Sequence, residues 1–255
     1  MKPDYSKFSS EDTAKMEEIT GIPAKAMLVQ SGLLPTPPKD AKILDNACGG
    51  GVVASLFFNG VGKSTDAHLV CGDFEEYMVK SSAERIKSNG WNAEATTADA
   101  QALPFPDDHF THTLMNFGIQ VIPDAALVMK ETFRVLKPGG TFGMTSWTAP
   151  GWLESFKIAV KEWTVPPMFT SGPVATKESI ENLLTAAGFT QVDVQPVKFQ
   201  HTDAIARYLN YMGEVFKGVL VGEVGERYEK YMRERYGDGD FTLTWEAFVI
   251  TAKKP

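Results

Sequence analysis

The chain has 255 residues, of which 43% are hydrophobic and 22% are charged, and its formal net charge is -7. This length and composition are typical of one large globular domain, here residues 1–255, with a single well-filled core. The acidic balance argues against a nucleic-acid partner, because binding phosphates needs clustered Lys and Arg. Two cysteines are too few for a disulfide scaffold, and neither a signal peptide nor a membrane span is recognisable, so we expect a cytoplasmic protein.

Short apolar runs alternate with helix-length amphipathic segments from residue 41 onward. This alternation predicts an α/β fold built on a parallel sheet. Before the sixth strand, Thr176 is placed to cap a helix, and Gly188 permits a left-handed helix end. We expect seven strands, near residues 42–47, 68–73, 93–98, 112–117, 140–147, 192–200 and 241–251.

Three segments do not belong to this repeat: an N-terminal helical arm at 1–40, and two inserted covers at 149–175 and 202–239. Aromatic side chains recur at helical spacing in both covers. Such stripes are most often core, but they also suit a pocket for a flat hydrophobic substrate, and both interpretations stay open. The residues that would line the pocket are Trp147, Trp152, Phe156, Trp163, Met168, Phe169, Tyr211, Met212 and Phe216, with Met16 and Met27 of the arm closing it.

The stretch AKILDNACGGG, residues 41–51, combines an apolar strand, an acidic residue and a glycine cluster that opens a helix. Such a turn exposes backbone N–H groups at the place where adenosine-type cofactors bind α/β sheets. The next strand ends in Asp73, at about the spacing from which an acidic side chain accepts hydrogen bonds from ribose hydroxyls. Asp99, after the third strand, is placed either to receive the adenine amino group or to cap a turn.

These pieces resemble class I S-adenosylmethionine-dependent methyltransferases, in the branch of the ubiquinone/menaquinone C-methyltransferases. The matching motifs lie between about Lys42 and Phe189: LDNACGGG, CGD, ADAQALPFPDDHF, ETFRVLKPGGTF and LLTAAGF. The resemblance implies a Rossmann-like seven-stranded sheet with its last strand antiparallel, S-adenosylmethionine bound over the strand ends, and methyl transfer to a small molecule. The arm and the aromatic covers look like those of fungal natural-product enzymes of the bis-thiomethyltransferase type.

The resemblance also implies roles for individual residues. The chain departs from the family pattern at Ala47, where a glycine is usual, and at Gly50, where Thr is common. Both departures keep the side chain small, so close approach to the backbone is preserved. The methionine part would be surrounded by Asp45, Ala47, Cys48, Gly49 and Gly51, the ribose by Asp73, the adenine by Phe74, Met78, Asp99 and Ala100, and the sulfonium region by Asn116 and Phe117.

Three rival motifs are weaker. GVGKS at 60–64 resembles the end of a phosphate loop, but Phe57 stands where the first glycine belongs. A nicotinamide-dependent oxidoreductase would need the G-x-G-x-x-G order, which the glycine cluster lacks. His109 and His112 have no cysteine pair nearby, so we expect no metal site.

A sulfonium-bound methyl group is already activated, so positioning and exclusion of water supply much of the rate. No catalytic base is evident: His109, His112, Asp124 and Glu131 have equally good structural roles. A thiol acceptor needs the least help, since its reference pKa is about 8.5. We therefore expect S-methylation of a small fungal-type secondary metabolite; O- or C-methylation of a phenol or quinol, and a noncatalytic cofactor-binding regulator, are the alternatives.

If the arm is only a lid, deleting residues 1–30 should impair turnover more than folding.

Overall fold

One sheet of seven strands organises the molecule. Its structure, a computed structural model, describes residues 10–61, 65–161 and 163–255. The strands follow the order β3-β2-β1-β4-β5-β7-β6, and β7 runs antiparallel to both of its neighbours. This confirms the predicted Rossmann-like sheet with an antiparallel last strand. The strands are β1 (Lys42–Asn46), β2 (His68–Asp73), β3 (Ala93–Thr97), β4 (Phe110–Asn116), β5 (Leu136–Ala149), β6 (Thr190–Ala204) and β7 (Asp240–Lys253).

Eight helices lie in the described part of the chain. They are α1 (Ser10–Gln30), α2 (Val52–Val61), α3 (Glu76–Asn89), α4 (Ala125–Val135), α5 (Leu153–Ala159), α6 (Lys177–Ala186), α7 (Ile205–Val215) and α8 (Gly222–Tyr236). Short 3-10 turns follow β4 at Gly118–Val121 and follow α5 at Pro167–Phe169. No helix within the described ranges is both long and apolar enough to cross a membrane.

Local sequence explains the best predicted helix. Thr176 caps α6 by accepting a hydrogen bond from the Ser179 N–H, and the Ser179 hydroxyl accepts one from the Thr176 N–H, which completes a capping box. Ile180 and Leu184 are fully buried on its inner face, and Gly188 ends the segment with a φ of 98°. All three features confirm the predicted helix.

Strands β5, β6 and β7 are longer than predicted. Strand β6 continues to Ala204, so the first residues of the second predicted cover are paired with β7, and its helices begin at Ile205. Most of the phosphate-loop-like GVGKS motif, residues 62–64, lies outside the described residues, as do residues 1–9 of the arm. The carboxyl ends of β1, β2, β3 and β4 meet at one edge of the sheet, where the predicted cofactor residues converge.

Candidate active site

The turn between β1 and α2 has the backbone that its small residues permit. Ala47, Gly49 and Gly51 have φ values of 56°, 53° and 79°, in the left-handed region that favours glycine. The Asp73 carboxylate, at the end of β2, accepts hydrogen bonds from the Gly49 N–H at 2.8 Å and from the Glu75 N–H at 3.0 Å. Asp73 therefore lies directly against the glycine turn, as the spacing of the two motifs predicts.

Asp45 is a buried charged group at this edge whose burial calls for a ligand. Its two carboxylate oxygens are completely buried and have no hydrogen-bond partner among the described residues. Burial, with a smaller contribution from the charge of Asp73, raises the pKa of Asp45 well above its ordinary value. A buried carboxyl without a partner is costly, and a ligand cation or donor would supply the missing bond.

Asp73 is less strongly perturbed. Burial raises the pKa of its carboxyl, while the N–H groups of Glu75 and Gly49 oppose that rise by hydrogen bonding to the charged form. This edge offers two acids, a turn with left-handed glycines and an adjacent helix start. These groups fit S-adenosylmethionine, which has an ammonium group, a carboxylate and ribose hydroxyls. Asp45 and Asp73 could hold the ammonium and ribose groups, whereas the N–H groups of Gly49 and Gly51 already donate to Asp73 and to the Cys48 carbonyl, so these two glycines would provide close approach to the backbone.

Cys48 and Cys71 are free thiols, and both are buried. A hydrogen bond with the Cys71 thiol, together with burial, raises the pKa of Cys48 well above its ordinary value. The Cys48 thiol is therefore protonated near neutral pH, and a thiol without thiolate character is a poor nucleophile. Cys48 packs in the hydrophobic cluster beneath the turn.

The adenine candidates surround the ends of β2 and β3. Phe74 directly follows Asp73 and is 63% exposed, which leaves its ring open to a planar ligand, whereas Met78, in the first turn of α3, is buried. The Ala98 N–H donates to the Asp73 carbonyl, which brings Asp99 beside this acid. Asp99 accepts a hydrogen bond from the Gln101 N–H at 2.8 Å, so it does cap its turn. Ala100, the last predicted adenine contact, is buried next to Asp99.

The ends of β4 and β5 form an aromatic wall at the same edge. Phe117 has a φ of 60°, and its ring stacks on Trp147 with centroids 3.9 Å apart and planes within 10°. The Thr145 hydroxyl donates to the Asn116 side-chain oxygen and accepts from the Phe117 N–H. The Gln120 amide accepts from the Trp147 N–H at 2.8 Å and donates to the Trp147 carbonyl at 3.1 Å. These bonds fix both rings relative to the strand ends.

The predicted acceptor residues join in one aromatic cluster, but they are not all accessible. Trp152 has ring contacts with Trp163, Phe169 and Phe216 at centroid distances of 6.0, 5.7 and 4.9 Å. Tyr211, on α7, is half-buried in the same cluster, and Met168, beside Phe169 in the 3-10 turn, is also half-buried. These six side chains are thus at least partly open to the surface.

Three predicted pocket residues need correction. Phe156 and Met212 are buried in the hydrophobic cluster beneath the covers, so they support it and do not line a cleft. Met27 is buried in a different cluster, against β5 at Gly143, and therefore does not close the pocket. Met16, half-buried on α1, is the other arm residue of the prediction. Aromatic periodicity detects the buried side of a helix, but it does not separate core from pocket lining.

Sequence reasoning missed Ser82, Arg85 and Gln120. The first two lie one turn apart on α3 and contact the carbonyl oxygens of the glycine turn, and the third holds Trp147. None belongs to a recognisable motif. The i, i+3 spacing of Ser82 and Arg85 on a helix that follows the acidic strand end is the one signal that could have drawn attention to them.

Comparisons with known proteins identify the family of the chain. Residues 25–182 match the model of the ubiE/COQ5 methyltransferase family. The chain is 27% identical to the methyltransferase tpcH of Aspergillus fumigatus, over 93% of both proteins. It is 34% identical to the acetylaranotin bis-thiomethyltransferase of Aspergillus terreus, over 57% of this chain and 49% of that protein. It is 30% identical to the demethylmenaquinone methyltransferase of Listeria welshimeri, over 61% of this chain and 64% of that protein.

Solved structures share the fold. A putative methyltransferase from Bacillus halodurans superposes with a TM-score of 0.62 at 21% identity, covering 91% of this chain and 98% of that one. A Haemonchus contortus phosphoethanolamine N-methyltransferase, solved with S-adenosyl-L-methionine, gives 0.56 at 16% identity, over 98% of this chain and 59% of that one. Because the family model spans more than half of the chain, the protein belongs to the ubiE/COQ5 methyltransferase family and is an S-adenosylmethionine-dependent methyltransferase.

Proposed function

We propose that this enzyme methylates a thiol of a small hydrophobic metabolite, in secondary metabolism. The observation that carries the proposal is the aromatic wall of Phe117 and Trp147 at the strand ends, continued by Trp152, Phe169 and Phe216 of the covers. Aromatic surfaces of this kind bind flat apolar acceptors. The similarity to the acetylaranotin bis-thiomethyltransferase supports a sulfur acceptor.

Each part of the site has a proposed task. S-adenosylmethionine supplies an activated methyl group. Asp45 and the glycine turn hold its methionine part, Asp73 binds its ribose, Phe74, Met78, Asp99 and Ala100 surround its adenine, and Asn116 and Phe117 border the reacting region. The aromatic wall orients the acceptor and excludes water, so catalysis depends mainly on proximity and desolvation.

A thiol is favoured because the candidate bases have other roles. Asp124 caps α4 by accepting a hydrogen bond from the Leu127 N–H. Glu131 binds Arg134 and the Leu103 N–H, and the bond with Arg134 lowers the pKa of its carboxyl. A thiol, with a reference pKa of about 8.5, needs only a modest local shift to yield thiolate at neutral pH.

Three of the four histidines are also poorly placed to act as the base. His68 begins β2, and His109 and His112 lie at the start of β4, at the edge of the sheet opposite the site. His201, near the carboxyl end of β6, is on the site side of the sheet, but its ring already faces the Glu18 carboxylate at 3.7 Å. We therefore expect that replacing any one histidine by Ala leaves most of the turnover intact. A loss beyond about a thousandfold in kcat/KM for one of them, more than a positioned acid or base often contributes, would contradict a positioning mechanism.

A second candidate is C- or O-methylation of a quinol or phenol. The similarity to a demethylmenaquinone methyltransferase favours it, and the same aromatic wall would accept a quinol ring. The two candidates differ in the product. Calorimetric titration with S-adenosylmethionine and S-adenosylhomocysteine, followed by mass spectrometry of dithiols, phenols and quinols incubated with the methyl donor, distinguishes them. A gain of one or two methyl masses on dithiols alone supports S-methylation; methylation confined to quinols or phenols would replace it by the second candidate.

The cofactor site is tested separately by Asp73→Ala. Loss of two charge-assisted hydrogen bonds to ribose, each about 1.5–3 kcal/mol, should weaken S-adenosylhomocysteine binding at least a hundredfold in calorimetry. Asp66→Ala is the matched control, because Asp66 is exposed and precedes the opposite end of the same strand. Unchanged affinity in Asp73→Ala would refute the ribose assignment.

A further inference from the structure

Helix α3 fixes the direction of the peptide groups in the glycine turn. The Ser82 hydroxyl donates to the Gly49 carbonyl at 2.8 Å, and the Arg85 guanidinium donates to the Gly50 carbonyl at 2.8 Å. In a planar trans peptide the N–H points opposite to the carbonyl. Holding both carbonyls on α3 therefore directs the N–H groups of Gly50 and Gly51 away from that helix.

Arg85 also binds helix α1. Its other terminal nitrogen lies 2.6 Å from the Glu17 carboxylate, and the second oxygen of that carboxylate accepts from the Ser55 hydroxyl on α2 at 2.8 Å. Both side chains of the ion pair are about a quarter exposed, so the pair is only partly screened by solvent. One guanidinium thus joins the glycine turn to the arm.

Gly50 is the point where α1 touches the turn. A Cβ added to Gly50 would collide with the methyl group of Thr13, although the backbone of Gly50 lies outside the left-handed region and would accept Ala without strain. The small residue at this position, where the family commonly has Thr, thus makes room for the first turns of the arm. Gly50 is needed for packing, not for its conformation.

The same turns of α1 are held from the other side by the second cover. Lys15 forms a buried ion pair with Asp203 at the end of β6, and its ammonium lies over the Tyr211 ring at 5.7 Å. Glu18 pairs with Arg207 of α7 at 3.2 Å. Residues 13–18 therefore bridge the glycine turn and the cover that carries acceptor candidates.

We infer that Arg85 is a positioning residue of the cofactor site, and that through Glu17 it seats residues 13–18 of α1 over the glycine turn as a wall of that site. This inference rests on the proposed cofactor site. Arg85 does not itself touch the ligand; it holds the turn and the arm in the arrangement that binds. Binding of the cofactor and seating of α1 are thereby coupled.

Calorimetry with S-adenosylhomocysteine tests the role of Arg85. We expect Arg85→Gln to raise the Kd about tenfold or more. The Kd of Arg85→Lys should lie between those of Arg85→Gln and wild type, because an ammonium keeps the charge but not the bidentate geometry of the guanidinium. Glu17→Gln should weaken binding less, since the bond between Arg85 and the Gly50 carbonyl remains. The control is Arg233→Gln, which removes surface ion pairs on α8 far from the turn in sequence and should leave the Kd unchanged.

The seat of α1 is tested by a pair of substitutions. Gly50→Ala should raise the Kd for S-adenosylhomocysteine at least fivefold, because the new methyl group displaces Thr13. Adding Thr13→Ala removes the colliding atoms and should return the Kd to within twofold of the Thr13→Ala single variant. Failure of this rescue, or no effect of Gly50→Ala on the Kd, would contradict the proposed seating of α1 over the glycine turn.

Thermal unfolding separates positioning from folding. A merely structural Arg85 would lower the unfolding midpoint of Arg85→Gln while leaving the Kd within twofold of wild type, and this result would overturn the inference. No binding by wild type would overturn the cofactor site and the inference together. Wild-type binding with an unaffected Arg85→Gln would overturn the inference alone.

Discussion

At the scale of single residues, the acceptor side of the site depends on a strained backbone held by side chains. Phe117 is a bulky residue in the left-handed region, a conformation that costs about 1–2 kcal/mol. Stacking on Trp147 and the hydrogen bond to Thr145 offset this cost. Gln120 is buried and binds both backbone polar groups of Trp147. Neither Gln120 nor Thr145 belongs to a sequence motif, because their partners are 27 and 29 residues away.

Gln120→Leu tests this support. Removing the amide leaves the Trp147 N–H and carbonyl without their partner, at a cost of about 1–3 kcal/mol, and should loosen the ring stack. We expect the KM for the acceptor to rise at least fivefold, with a smaller change in the Kd for S-adenosylhomocysteine. Gln195→Leu, on the exposed face of β6, is the matched control. An equal change in both constants would mean that Gln120 supports the whole site.

At the scale of elements, α1 has two halves with different tasks. Its first half contacts the glycine turn and the second cover, whereas Ala24, Met27 and Leu28 of its second half are fully buried in the core. Deleting residues 1–30 would therefore remove part of the core as well as the first half of α1, so we expect the truncated protein to fail to fold. The sequence predicted an arm, but which of its residues enter the core depends on β5 and β7, which pack against it from distant parts of the chain.

The second half of α1 is tested by Met27→Ala. Deleting a buried Met side chain leaves a cavity and typically costs about 2–5 kcal/mol of unfolding free energy. Val29→Ala is the control on the same helix, because Val29 is 54% exposed, and its effect should stay within about 0.5 kcal/mol. Urea denaturation measures both. A small effect of Met27→Ala would mean that the core closes over the vacated space.

At the scale of the whole molecule, stability should depend on pH through His112. Burial, aided by the positive charge of Lys253, lowers the pKa of His112 to about 4, while the unfolded chain has the ordinary value near 6.5. The unfolded state then binds more protons between these values, so stability is lost as pH falls from about 6.5 to 4, by up to about 3 kcal/mol. His112→Gln should flatten this slope in urea denaturation.

The sequence predicts those parts of the molecule that local rules determine. Alternating apolar and amphipathic segments predicted seven strands, and the cap at Thr176 predicted α6, because each is decided by neighbouring residues. The glycine turn and Asp73 were predicted for the same reason. The bond of Arg85 to Gly50 joins residues 35 positions apart, and the ion pair of Lys15 with Asp203 joins residues 188 positions apart, so no local pattern predicts either contact.

The pair of Lys15 and Asp203 also sets an order of events during biosynthesis. A ribosome adds about 5–20 residues per second, and at least 203 must be joined before Lys15 meets its partner. Until then an ammonium that is later buried remains in water, since burying it alone would be costly. The nascent chain therefore carries this ion pair unformed through most of translation, and Lys15, one of the earliest residues to be made, is among the last to reach its native contact.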